Sequence, residues 1–447
     1  MDPHAPGTDS TEEALEWHAL CRGKVQMMPK CPVRGLADLS RWYSPGVAAP
    51  SREIARSAAA SYRYTNRGNT IAIVTDGSRV LGLGDIGPEA ALPVMEGKAL
   101  LFKLFGGVDA IPICLRCRDP GELIKAVQML EPTFGGINLE DIAHPKCFRV
   151  LRALRASMSI PVWHDDQQGT AVVTLAALIN ALSLVNKSIT SVRIALIGFG
   201  AANTAIYHLL KHAGVDPRQI VICDSRGILG KDRKELCEQQ VVFPEKWQAC
   251  CESGGNDHQN GSGIAGALAG ADVAIAFSSA GPDTIRPDWI RRMAPDAIVF
   301  ACANPIPEIW PADARAAGAR IVATGRGDFP NQVNNSLAFP GLFRGVLDVQ
   351  ATTITDGMAL AAAREIASHG EARGLTGDSI VPRMDDVELH SNVAARVGMA
   401  AIAEDVARVR SDRASLHQHA TRVIRDARTA LDTLTREGLI PTNLPSS

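Results

Sequence analysis

No excess of either charge marks this chain. With 46 Lys and Arg against 48 Asp and Glu in 447 residues, the formal net charge is −2 and the pI about 6.6. No global field therefore recruits nucleic acid or an acidic membrane surface. A second CxxC is also lacking: Cys114 and Cys117 stand alone among ten scattered cysteines, which excludes the paired spacing of a structural zinc site and reads as reduced thiols filling the core. The N-terminus has no basic region followed by an apolar run, which argues against a signal peptide. No apolar run reaches the ~18 residues needed to span a bilayer. A cytoplasmic small-molecule enzyme is expected, on a chain long enough for two or three domains.

What is present centres on Ile160–Thr170, IPVWHDDQQGT. Its apolar start reads as a buried strand, Asp165 and Asp166 stand at the strand's end, and an apolar helical run follows from Ala171 to Val185. Strand ends are where α/β enzymes place their chemistry. Taken alone, an Asp pair before a glycine is more often a helix N-cap. A second acidic pair upstream, Glu140 and Asp141 in FGGINLEDIAHPKCF, argues for more. Two oxygen-rich pairs from neighbouring segments suggest a hard divalent cation, Mg²⁺ or Mn²⁺, with substrate in the open positions.

Further along, SVRIALIGFG runs as a strand into a glycine turn. A helix through Leu210 and the strand QIVICD, ending in Asp224, come next. Gly198 and Gly200 occupy the first two positions of a dinucleotide fingerprint, so the turn Gly198, Gly200, Ala201, Ala202 and Asn203 is expected to hold a pyrophosphate at a helix N-terminus. Asn203 departs from the glycine or alanine usual at the third position. Asp224 has the spacing of a ribose contact and favours NAD, while Arg226 pulls toward NADP. ADVAIAFSS, AIVFACANP and RIVATG continue the pattern of a doubly wound sheet.

Other segments read more plainly. Residues 1–13 are expected to be a disordered leader, and Glu252–Gly263 a flexible surface loop. TIAIVT and RVLGLG, joined by Asp76-Gly77, read as a β-hairpin. EAALPVMEGKALLFKLF reads as a helix in which Lys98 interrupts an apolar stretch. The end of the chain, from Asp405 to Leu434, reads as a packed or partly exposed terminal helix.

From Lys24 to about Ile366, the motifs YSPGVA, GLGDIGPEAALPVMEGKALLFK, FGGINLED, HDDQQGTA, ANPIPEI and FPNQVNNSLAFPG occur in that order. On these motifs the chain resembles the malic enzyme family, especially its short bacterial type. The resemblance implies an N-terminal α/β substrate domain over residues 1–165, a Rossmann-type NAD(P)-binding domain over 166–365, and C-terminal helices over 366–447. It implies Tyr43 as general acid, Lys98 as general base and Asp165 as the carboxylate beside that lysine. Glu140, Asp141 and Asp166 would hold the metal. Asn304 and Asn335 would contact substrate, Asn304 also facing the cofactor. Arg79 matches an arginine that binds the substrate carboxylate in animal and plant members. Trp163, and Gln168 where histidine is common, depart from the pattern.

The implied reaction is metal-dependent oxidative decarboxylation of a 2-hydroxy diacid, malate foremost, with NAD or NADP. A non-redox malolactic-type lyase, action on a malate analogue and a silent binding protein are the alternatives. A homodimer or higher homo-oligomer is expected, with no nucleic-acid or membrane partner.

Overall fold

The computed structural model of the chain describes residues 8–80, 82–257 and 261–444. Two sheets organise it. The first contains β1 (Thr70–Thr75), β2 (Asp109–Cys114), β3 (Gly136–Leu139) and β4 (Val162–His164), all parallel, in the order β2-β1-β3-β4. The run TIAIVT is buried at all six positions, as a strand covered on both faces requires. Its two edges are taken by β2, with Ile71 opposite Ala110, and by β3, with Ala72 opposite Ile137.

That pairing is why the expected hairpin does not form. RVLGLG contributes no strand; Leu81 lies outside the described residues. Asp76-Gly77 instead starts a loop that folds back on itself, with Gly77 at φ 65° and its carbonyl accepting from the Gly87 amide. Asp76 is wholly buried, accepting from Ser78 and pairing with Lys146.

The second sheet contains β5 (Ile194–Ile197), β6 (Ile220–Asp224), β7 (Gly227–Ile228), β8 (Val273–Ala276), β9 (Ile298–Ala301) and β10 (Ile321–Thr324). Their order is β10-β9-β8-β5-β6-β7, parallel except for the short β7. The strand order reverses between β5 and β8, and a crevice at such a switch point is where doubly wound sheets bind ligands.

Between the sheets runs the Thr170–Leu184 helix, which buries Val172, Val173, Leu175 and Leu178 among others. With the turn before it, Asp165–Leu184 is long and apolar enough, by length and composition, to cross a membrane. Yet 78% of that window is buried inside the protein. A helix apolar on every face is here the centre of the core. The C-terminal helices, Phe339–Asp348, Asp356–Ala372, Val387–Ala403 and Arg413–Arg436, return to the first sheet. Phe102 of the Pro88–Gly106 helix stands with its ring 4.5 Å from Phe339 and 5.3 Å from Phe343. The boundary expected at residue 365 falls inside the Asp356–Ala372 helix.

Two flexible segments were expected where the structure has order. Residues 8–13 open the helix Thr8–Cys21 rather than a disordered leader, since Glu12, Glu13 and Ala14 are good helix formers; residues 1–7 lie outside the described residues. Of the loop at 252–263, residues 254–257 form a tight turn against the second sheet. A β-carbon on Gly254 would meet the Arg218 carbonyl, and one on Gly255 the Leu229 carbonyl. The glycines that suggested flexibility are there for close approach. Residues 258–260 lie outside the described residues.

His390, in the Val387–Ala403 helix, is wholly buried, stacks on Phe105 at 5.1 Å and bonds through Nε2 to the Met384 carbonyl at 2.8 Å. Burial pushes its pKa down to about 4. The unfolded chain therefore takes up this proton near pH 6.5, while the native chain resists it until pH 4. Stability should fall as pH drops through that window, by about 3 kcal/mol at its lower end. Denaturant midpoints across pH 7 to 4 should show a shallower slope for His390→Leu than for the parent; equal slopes would remove His390 from the account.

Candidate active site

At the end of β4 the chain makes one wide turn, Asp165–Gly169, before the core helix begins. Neither aspartate caps that helix, since no side-chain cap bond forms at its start. Asp165 turns inward and is wholly buried. It accepts from Trp163 Nε1 at 3.0 Å and from Lys98 Nζ at 2.5 Å. Gly169 makes room for it, because a β-carbon there would collide with the Asp165 carboxylate.

Lys98 bonds in turn to Glu140 Oε1 at 2.8 Å, and its Nζ lies 4.4 Å from the centre of the Phe339 ring. Asn138 holds the other Glu140 oxygen at 2.9 Å. An ammonium group is thus clamped between two buried carboxylates.

The charges decide how this cluster rests. Burial by itself lowers the Lys98 pKa, but Asp165 and Glu140 together outweigh it and hold the lysine above its ordinary value. Burial raises the Glu140 carboxyl well above the usual range despite Lys98, and the charges of Asp166, Asp165 and Asp141 press it further in that direction. Asp165 is likewise raised by burial, against Lys98. His164 is pushed down by burial, which keeps it neutral.

The structure brings the three expected metal ligands to one place. Asp166 Oδ2 accepts from the Asp141 amide at 2.8 Å, and both acids act on Glu140. Asp141 sits at φ 54°, a left-handed conformation that aspartate tolerates better than most residues. Glu140, however, is turned to Lys98 and Asn138. No three Asp, Glu, His or Cys side chains among the described residues stand at metal-holding spacing. The donor chemistry nevertheless fits a hard divalent ion, because Asp141 and Asp166 add two more carboxylates beside the Lys98, Glu140 and Asp165 cluster.

Three candidates lie on the rim. The Arg79 amide bonds to the Asp141 carbonyl at 3.1 Å, leaving its side chain exposed. The same loop touches the second sheet at Gly82, where a β-carbon would meet the Asn304 carbonyl. Asn304 is exposed just past β9, its amide against Gly325 beyond β10, and Asn335 packs beside Gly169. Tyr43 is the exception: it is 76% exposed, and no hydrogen bond joins it to the cluster.

On the nucleotide side, Gly198 has φ 83° and lies so close to the Phe277 carbonyl that no side chain fits, while Gly200 faces open space. The Ala201–His212 helix starts there with its amides toward that space, which suits a pyrophosphate. Asn203 is fully buried and donates to the carbonyls of Ile197 at 2.9 Å and Gly198 at 2.8 Å. It ties the helix to β5 from behind the turn, a job the usual glycine leaves to close packing. Asp224 ends β6 held by Arg233 and Lys246, while the Arg226 side chain is exposed.

Sequence reasoning missed four of these partners. Trp163 and Asn138 each stand two residues before an acid they hold, the spacing that puts side chains on one face of a strand. Arg233 and Lys246 gave no local signal.

A glycine turn fit for a pyrophosphate, together with a buried lysine among carboxylates, marks an NAD(P)-dependent oxidoreductase. The comparisons give the family. Residues 22–155 match the malic enzyme N-terminal domain, and residues 167–402 the malic enzyme NAD-binding domain; the chain belongs to the malic enzyme family. It is 49% identical over 405 residues to the bifunctional malic/malolactic enzyme of Bacillus subtilis (strain 168), covering 90% of this chain and 95% of that protein. To the NAD-dependent malic enzyme of Geobacillus stearothermophilus it is 46% identical, covering 86% of this chain and 78% of that one. The crystal structure of Entamoeba histolytica malic enzyme superposes with a TM-score of 0.93 at 44% identity, covering 99% of this chain and 93% of the other.

Trp163→Phe keeps an aromatic ring but removes the bond that orients Asp165. Loss of a hydrogen bond to a charged group is worth about 1.5–3 kcal/mol, so kcat should fall roughly tenfold or more while dinucleotide affinity holds. An unchanged kcat would leave Trp163 a packing residue only.

Proposed function

We propose that the chain catalyses metal-dependent oxidative decarboxylation of a 2-hydroxy diacid, (S)-malate to pyruvate and carbon dioxide, with reduction of NAD(P). The observation that carries this is Lys98 held between Asp165 and Glu140 beside Asp141 and Asp166, in a chain that also carries a turn fit for a dinucleotide. When bound, the dinucleotide accepts the hydride from C2, and Mg²⁺ or Mn²⁺ polarises the C2 oxygen and stabilises the enolate left by departing carbon dioxide.

The protein's own groups handle orientation and protons. Arg79 offers a bidentate fork for a substrate carboxylate, and Asn304 and Asn335 hydrogen-bond the remaining oxygens. Glu140, Asp141 and Asp166 would hold the cation. Lys98 accepts the hydroxyl proton only once its two carboxylates no longer hold its own proton so firmly. A cation held by Glu140 would draw that carboxylate from Lys98 and place a positive charge nearby, and both would lower the lysine's proton affinity. Tyr43 then protonates the enolate at carbon.

Tyr43 cannot serve while exposed. It lies on a face where Leu36, Leu39, Trp42 and Val47 are also exposed, at 82%, 47%, 44% and 41%. We infer that a second copy of the chain covers this face, in a homodimer or higher homo-oligomer, and excludes water around the tyrosine. A cytoplasmic location is part of the same reading, supported by ten free cysteines. A malolactic activity is the second reading, favoured by the name of the Bacillus relative; it would release carbon dioxide from malate with no gain in nicotinamide absorbance.

The decisive assay supplies malate, NAD or NADP and Mn²⁺. Pyruvate and reduced cofactor should appear in equal amounts, and chelation should stop both. Pyruvate formation from oxaloacetate skips the alcohol's deprotonation, so Lys98→Ala should impair malate oxidation most and Tyr43→Phe the ketonisation of enolpyruvate most. Each loss should be about 10²-fold, the usual worth of a positioned acid or base. Equal losses of the same partial reaction would refute separate roles.

Light scattering should give at least twice the chain mass. Leu36→Asp with Leu39→Asp should yield folded monomer with ketonisation lost. A monomer as active as the parent would overturn the shared-face reading.

A further inference from the structure

The acid expected to bind the cofactor's ribose has no acceptor left to do so. Asp224 Oδ1 accepts from the Arg226 amide at 2.9 Å and from Arg233 Nη1 at 3.1 Å. Its Oδ2 accepts from Arg233 Nη2 at 3.2 Å and is paired with Lys246 Nζ at 2.6 Å. A carboxylate offers about four lone-pair sites, and here all are taken. The three side chains are 8%, 11% and 19% exposed for Asp224, Arg233 and Lys246, so the arrangement is packed rather than a loose surface pairing. An Asp that selects NAD must accept from ribose hydroxyls and repel a 2′-phosphate. This one can do the first only by giving up a cation, and two cations beside it blunt the second.

Those cations come from two different elements. Arg233 follows the β7 edge, where its Nε also bonds Glu235 at 2.5 Å. Lys246 comes from the Pro244–Glu252 helix, whose neighbouring Glu245 is paired with Arg152 rather than with the lysine. The exposed side chain of Arg226 adds a third positive charge at the strand end. Counting Asp224 and Glu235 against Arg226, Arg233 and Lys246, the corner carries a surplus of positive charge where the adenosine ribose of a dinucleotide on this sheet must lie.

We propose that Lys246, with Arg233, forms a 2′-phosphate site at the end of β6, so that this chain takes NADP in preference to NAD. The inference rests on the dinucleotide-dependent function proposed above and adds the choice of cofactor to it. Lys246 is the selector, since Arg233 is shared with Glu235 and braces Asp224 from both oxygens, whereas Lys246 contributes a single ammonium whose turn to a phosphate would leave Asp224 paired with Arg233. Arg233 would remain as the acid's partner.

Calorimetry with adenosine 2′,5′-bisphosphate and with 5′-AMP tests the corner without any turnover, and NADP and NAD test it in the full cofactor. The bisphosphate should bind at least tenfold more tightly than 5′-AMP, and NADP at least tenfold more tightly than NAD. Lys246→Met keeps the stem and leaves Asp224 paired with Arg233. It should erase most of that gain while changing 5′-AMP affinity less than twofold, with the thermal midpoint confirming the fold; Lys246→Gln serves if the methionine variant is unstable. Equal or tighter binding of the forms without the 2′-phosphate, or an unchanged ratio in the Lys246 variant, would overturn the phosphate site alone. Failure of both dinucleotides to bind the parent protein would overturn the dinucleotide-dependent function with it.

Discussion

Everything near the centre of this protein answers to one buried ammonium group. Lys98 is 8% exposed and touches Asp165 and Glu140, which are less accessible still. Taking three charges out of water costs several kcal/mol per ion unless each is paired and its remaining lone pairs are satisfied. The surroundings supply that compensation: Trp163 for Asp165, Asn138 for Glu140, the Phe339 ring beside the ammonium. The cluster holds more carboxylates than cations, so it is strained electrostatically toward binding positive charge.

The scaffold is arranged to keep that cluster in place. Lys98 is carried by the Pro88–Gly106 helix, and the C-terminal part of the chain comes back to brace it through Phe339 and Phe343. The fit there is close: a β-carbon on Gly106 would meet the Pro340 carbonyl, and one on Gly345 the Ala394 carbonyl. Segments far along the sequence from the acids are therefore part of their support.

Both sheets offer the C-terminal ends of their strands to the chemistry. Glu140 follows β3, Asp165 follows β4, Gly198 follows β5, Asp224 ends β6 and Asn304 stands past β9. Three residues near these ends, Trp163 in β4, Gln168 in the turn after it and Asn203 in the helix after β5, depart from the expected pattern. In each case the structure gives the departure work. Asn203 ties helix to strand, Trp163 orients an acid, and Gln168 accepts from the His164 amide at 3.1 Å.

What the sequence by itself determined was local and periodic. Apolar runs between glycine and proline punctuation became parallel strands, the GFG turn and the helix after it stand where their own residues put them, and the two acid pairs lie at strand ends. These features depend on backbone preference and burial within a few residues. Asp76-Gly77 shows the limit: its turn chemistry is real, but β1 had both edges taken by strands from elsewhere, so no hairpin partner could pair. Charge states were out of reach for the same reason. Whether Lys98 rests protonated, whether Asp224 is free to accept and whether Tyr43 is covered all depend on groups distant in sequence, because electrostatic energy follows separation in space and burial rather than order along the chain. Tertiary packing set the lysine between two acids, filled every acceptor of Asp224 with Arg226, Arg233 and Lys246, and left the tyrosine facing outward.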